Sequence, residues 1–124
     1  SAIRNHVEMI MLVHLRYDRI DYKPMSLSRT AVRALQEDLS FGGIVVTDDL
    51  GMGALADWDS YDKISQAVDA GVDVMPHGSP TTGWAALVDH VYDMVSQGLV
   101  ERQEINRRAE KLVALKIRHF NIPA

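Results

Sequence analysis

The run Gly42-Gly43-Ile44-Val45-Val46-Thr47-Asp48-Asp49-Leu50-Gly51-Met52 constrains this chain more than any other stretch. Ile44 to Thr47 is β-branched throughout, and nothing polar precedes Thr47. Branched side chains suit the pleated surface of a strand. An unbroken apolar run suits a parallel strand covered on both faces. The segment therefore reads as a short buried strand that delivers a carboxylate to its C-terminal end, followed by a glycine-containing loop. In barrels of parallel strands wrapped by helices, catalytic groups occupy that end, so chemistry is expected to centre on Asp48. A chain of 124 residues is about half of such a barrel.

The flanking sequence alternates between the strand and helix periods. Val7 to Leu15 is an apolar run of strand length with His14 near its end. Arg16 to Pro24 is a polar loop, after which Ser26 or Ser28 can cap a helix. From Thr30 to Leu39 the residues Ala31, Val32, Ala34, Leu35 and Leu39 recur at helical spacing, and Phe41-Gly42-Gly43 breaks the pattern. Tyr61 to Ala70 predicts a second helix closed by Gly71, and Val72 to Met75 a third short strand ended by Pro76. Thr81 or Thr82 can open a third helix that stops at Gly98, and Glu101 to Phe120 predicts the last one. Strands alternating with helices imply right-handed crossovers and a parallel sheet, hence an α/β fold.

Composition removes several function classes. A formal charge of -4 and a pI near 5.6 leave no basic stripe to neutralise phosphates, so no nucleic-acid partner is expected. Arg102, Arg107, Arg108, Lys111, Lys116 and Arg118 alternate with Glu101, Glu104 and Glu110, the pattern of a solvated helix face. The absence of cysteine excludes disulfides, thiolate catalysis and cysteine-ligated metals. No segment approaches the roughly 18 apolar residues that span a bilayer, so no membrane partner is expected. There is no apolar leader, and the cytoplasm is favoured over secretion, with location otherwise open. The chain starts almost directly in a strand-like run without an initiator methionine, so a natural N-terminus further upstream is expected.

Asp48 at the mouth of a sheet can attack a sugar's anomeric carbon, act as a base or hold a metal. The same position suits a helix N-cap or a loop carboxylate. Asp49 can cap the following turn or bond loop amides. Consecutive strand residues point opposite ways, which disfavours joint metal ligation by the pair. His14 closes the first strand and can donate to a substrate hydroxyl or serve as an acid; a structural role fits equally. His77 follows the third strand, beside Gly78, which gives the backbone room to approach a ligand. His90 and His119 sit on helices, without HxH or HExxH spacing, and no metal site is expected. Asp73, between Val72 and Val74, needs hydrogen-bonded partners if buried and reads as a link to a neighbouring strand. Met52 can line a pocket wall or fill core space.

The pattern Leu39-x-Phe41-x-Gly43, then strand, then Thr47-Asp48-Asp49-Leu50-x-Met52, then helix, then Ala70-Gly71-x-Asp73 resembles the family 3 glycoside hydrolases. MIMLVHL, Pro24-Met25-Ser26-Leu27-Ser28 and the closing EINRRAEKLVALKIRHF helix extend the likeness from about Glu8 to Ile117. It is most similar to the β-N-acetylhexosaminidase branch that includes bacterial peptidoglycan-recycling enzymes. The resemblance implies a partial (β/α)8 barrel of about three strand–helix units plus a C-terminal helix. Residues 1–124 would be the C-terminal portion of that barrel domain.

The resemblance also implies a β-N-acetylglucosamine-type carbohydrate substrate and retaining hydrolysis with no cofactor or metal. Asp48 maps onto the family's nucleophile, while His14 and Met52 are candidate substrate contacts. The family's acid is a histidine supported by an aspartate, after a Lys-His-Phe-Pro-Gly-His-Gly-type segment, and this chain has no such segment. A piece of barrel leaves sheet edges and apolar faces open. The expected partners are therefore a second copy or the missing N-terminal half-barrel, and the alternative to an enzyme is an inactive α/β fragment that assembles in one of those ways.

Overall fold

The computed structural model describes residues 2–78 and 80–120. Strand β2 (Ile44–Thr47) is buried along its whole length. It pairs in parallel with β1 (Met9–Leu12), in the register Met9 with Ile44 through Leu12 with Thr47. Ile44 N–H donates to Glu8 O at 2.8 Å and Asp48 N–H to Leu12 O at 2.9 Å. β1 is shorter than the Val7–Leu15 run because Leu15 and Val13 turn their carbonyls to the amides of Met25 and Ser26.

On its other side β2 meets residues 72–75, and here the expected third strand is corrected. The contact is one parallel bridge, Val46 with Val74. Thr47 N–H donates to Val74 O at 3.0 Å, but Val45 N–H donates to the Asp73 side chain, Oδ2, at 2.9 Å. A carboxylate has taken the place of a ladder carbonyl, and the amides of Asp73 and Val74 both converge on Val45 O. Pro76 then ends any continuation, having no N–H to offer. The described sheet therefore has two strands and a bridged third segment, rather than three strands. Asp73 is the inter-strand link anticipated above. Its side chain is 1% exposed and pairs with Lys111 Nζ at 3.1 Å.

Helix α1 (Arg29–Arg33) is capped by Ser28, whose Oγ accepts from Ala31 N–H at 3.0 Å and donates to Asp21 Oδ2 at 2.6 Å. The single helix expected over Thr30–Leu39 instead widens into one π-helical turn, Ala34–Asp38, with Leu39 N–H reaching back to Ala34 O. The wider turn leaves Leu35 and Phe41 in the core and turns Leu39 to solvent. α2 (Ser60–Ala70) starts at the Asp59 cap and ends at Gly71, whose φ of +97° requires glycine. Gly71 N–H bonds Val68 O and Val72 N–H bonds Ala67 O, the Schellman pairing. α3 (Trp84–Ser96) starts after Gly83 rather than at Thr81 or Thr82, which lie in the turn that Gly83 N–H closes on Pro80 O. α4 (Arg102–Phe120) is the last element of the described residues.

The core forms where the sheet meets α1 and α2. Leu27, Val32, Val45, Leu50, Leu55, Val68 and Val72 are all essentially inaccessible there. Arg108 corrects the reading of α4 as a uniformly solvated face. It is 8% exposed and donates through Nη1 to Val68 O and Val72 O, neutralising the carbonyl end of α2. The opposite face of β1 is open: Met9, Met11, Val13 and Leu15, alternating along the chain, are all exposed.

Removal of the Asp73 carboxylate would strand the Val45 amide and leave the Lys111 ammonium with Gly43 O but without its counter-charge. Asp73→Ala is expected to lower unfolding free energy by about 3 kcal/mol in urea titrations. Asp73→Asn, which keeps an acceptor for Val45, should lose less than half as much.

Candidate active site

Three loops leave the C-terminal ends of β1, β2 and the bridged segment, and Asp49 joins all three. Its carboxylate Oδ1 accepts from Gly51 N–H at 2.8 Å and from Gly78 N–H at 2.9 Å. Its carbonyl accepts from Met52 N–H at 3.0 Å and from His14 Nε2 at 2.8 Å. Its own N–H donates to Asp48 Oδ1 at 2.8 Å. Both bonds open to the Asp49 side chain are found: it closes a turn on the Gly51 amide two residues on and bonds the Gly78 amide of a second loop.

Asp48 stands where the strand pattern placed it, half-buried at the end of β2 with its amide on Leu12 O. Among the described residues none donates to its Oδ2. His14 lies beyond the end of β1, with Nδ1 2.6 Å from the fully buried Ser26 Oγ. A carbonyl can only accept, so Nε2 carries the proton toward Asp49, and in the neutral ring Nδ1 accepts from the Ser26 hydroxyl. Both ring nitrogens are thus engaged by protein atoms. Met52 is 44% exposed at the same loop and does not fill the core.

His77 is 6% exposed, and among the described residues neither ring nitrogen has a hydrogen-bond partner. Its ring meets Trp84 edge-on, with centroids 6.0 Å apart. Gly78 makes room for Asp49: a Cβ there would lie 2.9 Å from Asp49 Oδ2. Lys63, also buried, was passed over in the sequence because a lysine near a helix start carries no periodic signal. His90 bonds Ser65 at 2.7 Å, and His119 pairs with Glu8, both away from Asp48. Among the described residues no group of three or more His, Cys, Asp or Glu side chains gathers as a metal site, and no helix is long and apolar enough to cross a membrane.

A cleft lined by Val7, Glu8, Phe41, Gly43, Lys111 and Arg118 opens at the other end of the strands. That is the N-terminal end, where barrel conservation serves stability rather than chemistry. The Asp48 end is the chemically equipped one. It presents a carboxylate with one oxygen held by an amide and the other unclaimed among the described residues, an arrangement suited to nucleophilic attack or proton abstraction.

The chain matches the model of the glycosyl hydrolase family 3 N-terminal domain over residues 1–115. A protein named β-hexosaminidase from Methylobacillus flagellatus is 30% identical over 120 residues, covering 93% of this chain and 34% of that protein. Another of that name, from Methylococcus capsulatus, is 36% identical over 77 residues, 60% of this chain and 23% of its own length. Among solved structures, a family 3 β-N-acetylglucosaminidase from a Paenibacillus species superposes with a TM-score of 0.85 at 28% identity, over 99% of this chain and 24% of that one. A β-N-acetylhexosaminidase from Beutenbergia cavernae does so with a TM-score of 0.82 at 27% identity, over 93% and 35%. The chain spans about a third or less of the length of these relatives.

Two groups of the site titrate away from their ordinary values. The amides of Gly51 and then Gly78 hold the Asp49 carboxyl below 3.8, so its contribution to stability is present above that pH and lost below it. Burial, with Lys63 nearby as the lesser cause, holds His77 below its ordinary 6.5. The unfolded chain therefore takes up this proton before the folded one, and stability drops as pH falls from 6.5 toward the folded value. Denaturation midpoints measured between about pH 7.5 and about pH 5 should decline in the native chain, and His77→Phe should flatten that decline.

Proposed function

The chain belongs to glycosyl hydrolase family 3, and from that premise we propose that it carries the nucleophile of a retaining β-N-acetylglucosaminide hydrolase, Asp48. The supporting observation is the Asp48 carboxylate at the C-terminal end of the buried strand β2, with Oδ1 held by the Asp49 amide and Oδ2 unclaimed among the described residues. Oδ2 attacks the anomeric carbon as the glycosidic C–O bond breaks and the leaving oxygen takes a proton from an acid. Water then attacks the same carbon, gives a proton back to the conjugate base, and frees the sugar and the carboxylate. His14 and Met52 line the sugar site. His14 does so through ring carbons, its nitrogens being engaged, and Met52 through its exposed thioether.

The acid comes from outside the 124 residues in this reading. Of the local candidates, His14 has both nitrogens occupied, Asp49 Oδ1 holds two amides, and His77 is buried. Residues 1–124 then form the C-terminal portion of the barrel domain. The open apolar row Met9, Met11, Val13 and Leu15 favours a second reading: the piece on its own is inactive and becomes stable by self-assembly or by docking the other part of the barrel.

The purified chain and its Asp48→Asn variant, given side by side a chromogenic β-N-acetylglucosaminide whose phenolate leaves without help from an acid, separate these readings. Hydrolysis that falls by ~10³-fold or more in the variant supports Asp48 as nucleophile. Equal hydrolysis in both would sink that assignment. No hydrolysis in either, with a dimer or larger species in light scattering, supports the second reading.

A further inference from the structure

We propose that Asp49 is the positioning residue for Asp48: pinned through its carboxylate and its carbonyl, it aims its own amide at Asp48 Oδ1 and so presents Oδ2 to substrate. The inference rests on Asp48 being the nucleophile, and it assigns Asp49 no contact with the sugar.

The Cα of Asp49 has three heavy-atom branches, and two are anchored on different parts of the fold. The carboxylate is tied at Oδ1 to Gly51, within its own loop, and to Gly78, in the loop after the bridged segment. The carbonyl is tied to His14, beyond β1, and to Met52. Fixing two branches of a tetrahedral carbon fixes the third, which is the amide nitrogen. That amide lies 2.8 Å from Asp48 Oδ1. Asp48 is anchored from the other side by its own N–H on Leu12 O at 2.9 Å. The nucleophile's side chain is therefore held at both ends of one residue, in a single rotamer. Positioning of a reacting group within a few tenths of an ångström is where much of an enzyme's advantage arises. Gly78 belongs to the same device, because a Cβ there would meet Asp49 Oδ2 at 2.9 Å and push the carboxylate off its amides.

The test reads Asp48 directly and needs no turnover. In the isotopically labelled chain, three-bond couplings from the Asp48 backbone to its Cγ report whether χ1 is fixed. The native chain should show one rotamer. Asp49→Ala and Gly78→Ala should both average the couplings and speed exchange of the Asp49 amide by ~10-fold or more. Asp49→Asn retains an oxygen acceptor for both glycine amides and should restore the native values. Unchanged Asp48 couplings in Asp49→Ala, while Gly51 and Gly78 lose protection, would overturn the proposal, as would an averaged χ1 in the native chain or an Asn variant as disordered as Ala. If Asp49→Ala does not fold, Gly78→Ala alone decides by the same criterion. Loss of the nucleophile assignment itself shows separately, as hydrolysis that survives Asp48→Asn.

Discussion

Every backbone donor of β2 must find its acceptor inside the protein, because Ile44 to Thr47 is covered on both faces. The donors facing β1 are met by a regular ladder. Those facing the other way are met unevenly, one by the Val74 carbonyl and one by the Asp73 carboxylate. That carboxylate in turn binds Lys111 of α4, and Arg108, one turn earlier, caps the end of α2. The central strand's hydrogen-bond demand thereby fixes the position of the last helix. Burying these charges is tolerable only because each is matched by an opposite charge or by backbone dipoles.

The same logic recurs at the opposite end of the strands. Loops leaving a parallel sheet carry amides that no ladder satisfies, and Asp49 collects two of them while His14 and Met52 collect its carbonyl. The outcome is a short hydrogen-bonded network around Asp49, reaching the carboxylate of its neighbour Asp48. His77 stands apart: it is a buried imidazole with no hydrogen-bond partner among the described residues, and its burial disfavours the charged form.

The open face of β1 follows from the same sheet. In a strand covered on one side only, alternate residues face outward, and here they are Met9 and Met11, with Val13 and Leu15 exposed just beyond its end. A solvated strand would carry polar residues at those positions.

Much of this was legible in the residues. The β-branched run marked the buried parallel strand, Gly71 and Gly98 marked helix ends that adopt positive φ, and the Thr-Asp-Asp-Leu-x-Met pattern marked the family. Those signals are local, set by steric preference at one position or by a short period. The sequence could not place the π-helical turn at Ala34–Asp38, the bridge that replaced a third strand, or the burial of Lys63 and Arg108. Each of these depends on what lies across the fold: Arg108 reads as a surface residue until the carbonyl end of α2, 36 to 40 residues away, is brought against it. So sequence alone determined which carboxylate follows the strand, and tertiary structure decided that its neighbour would join three loops, because a hydrogen bond between loops far apart in the chain has no local signature.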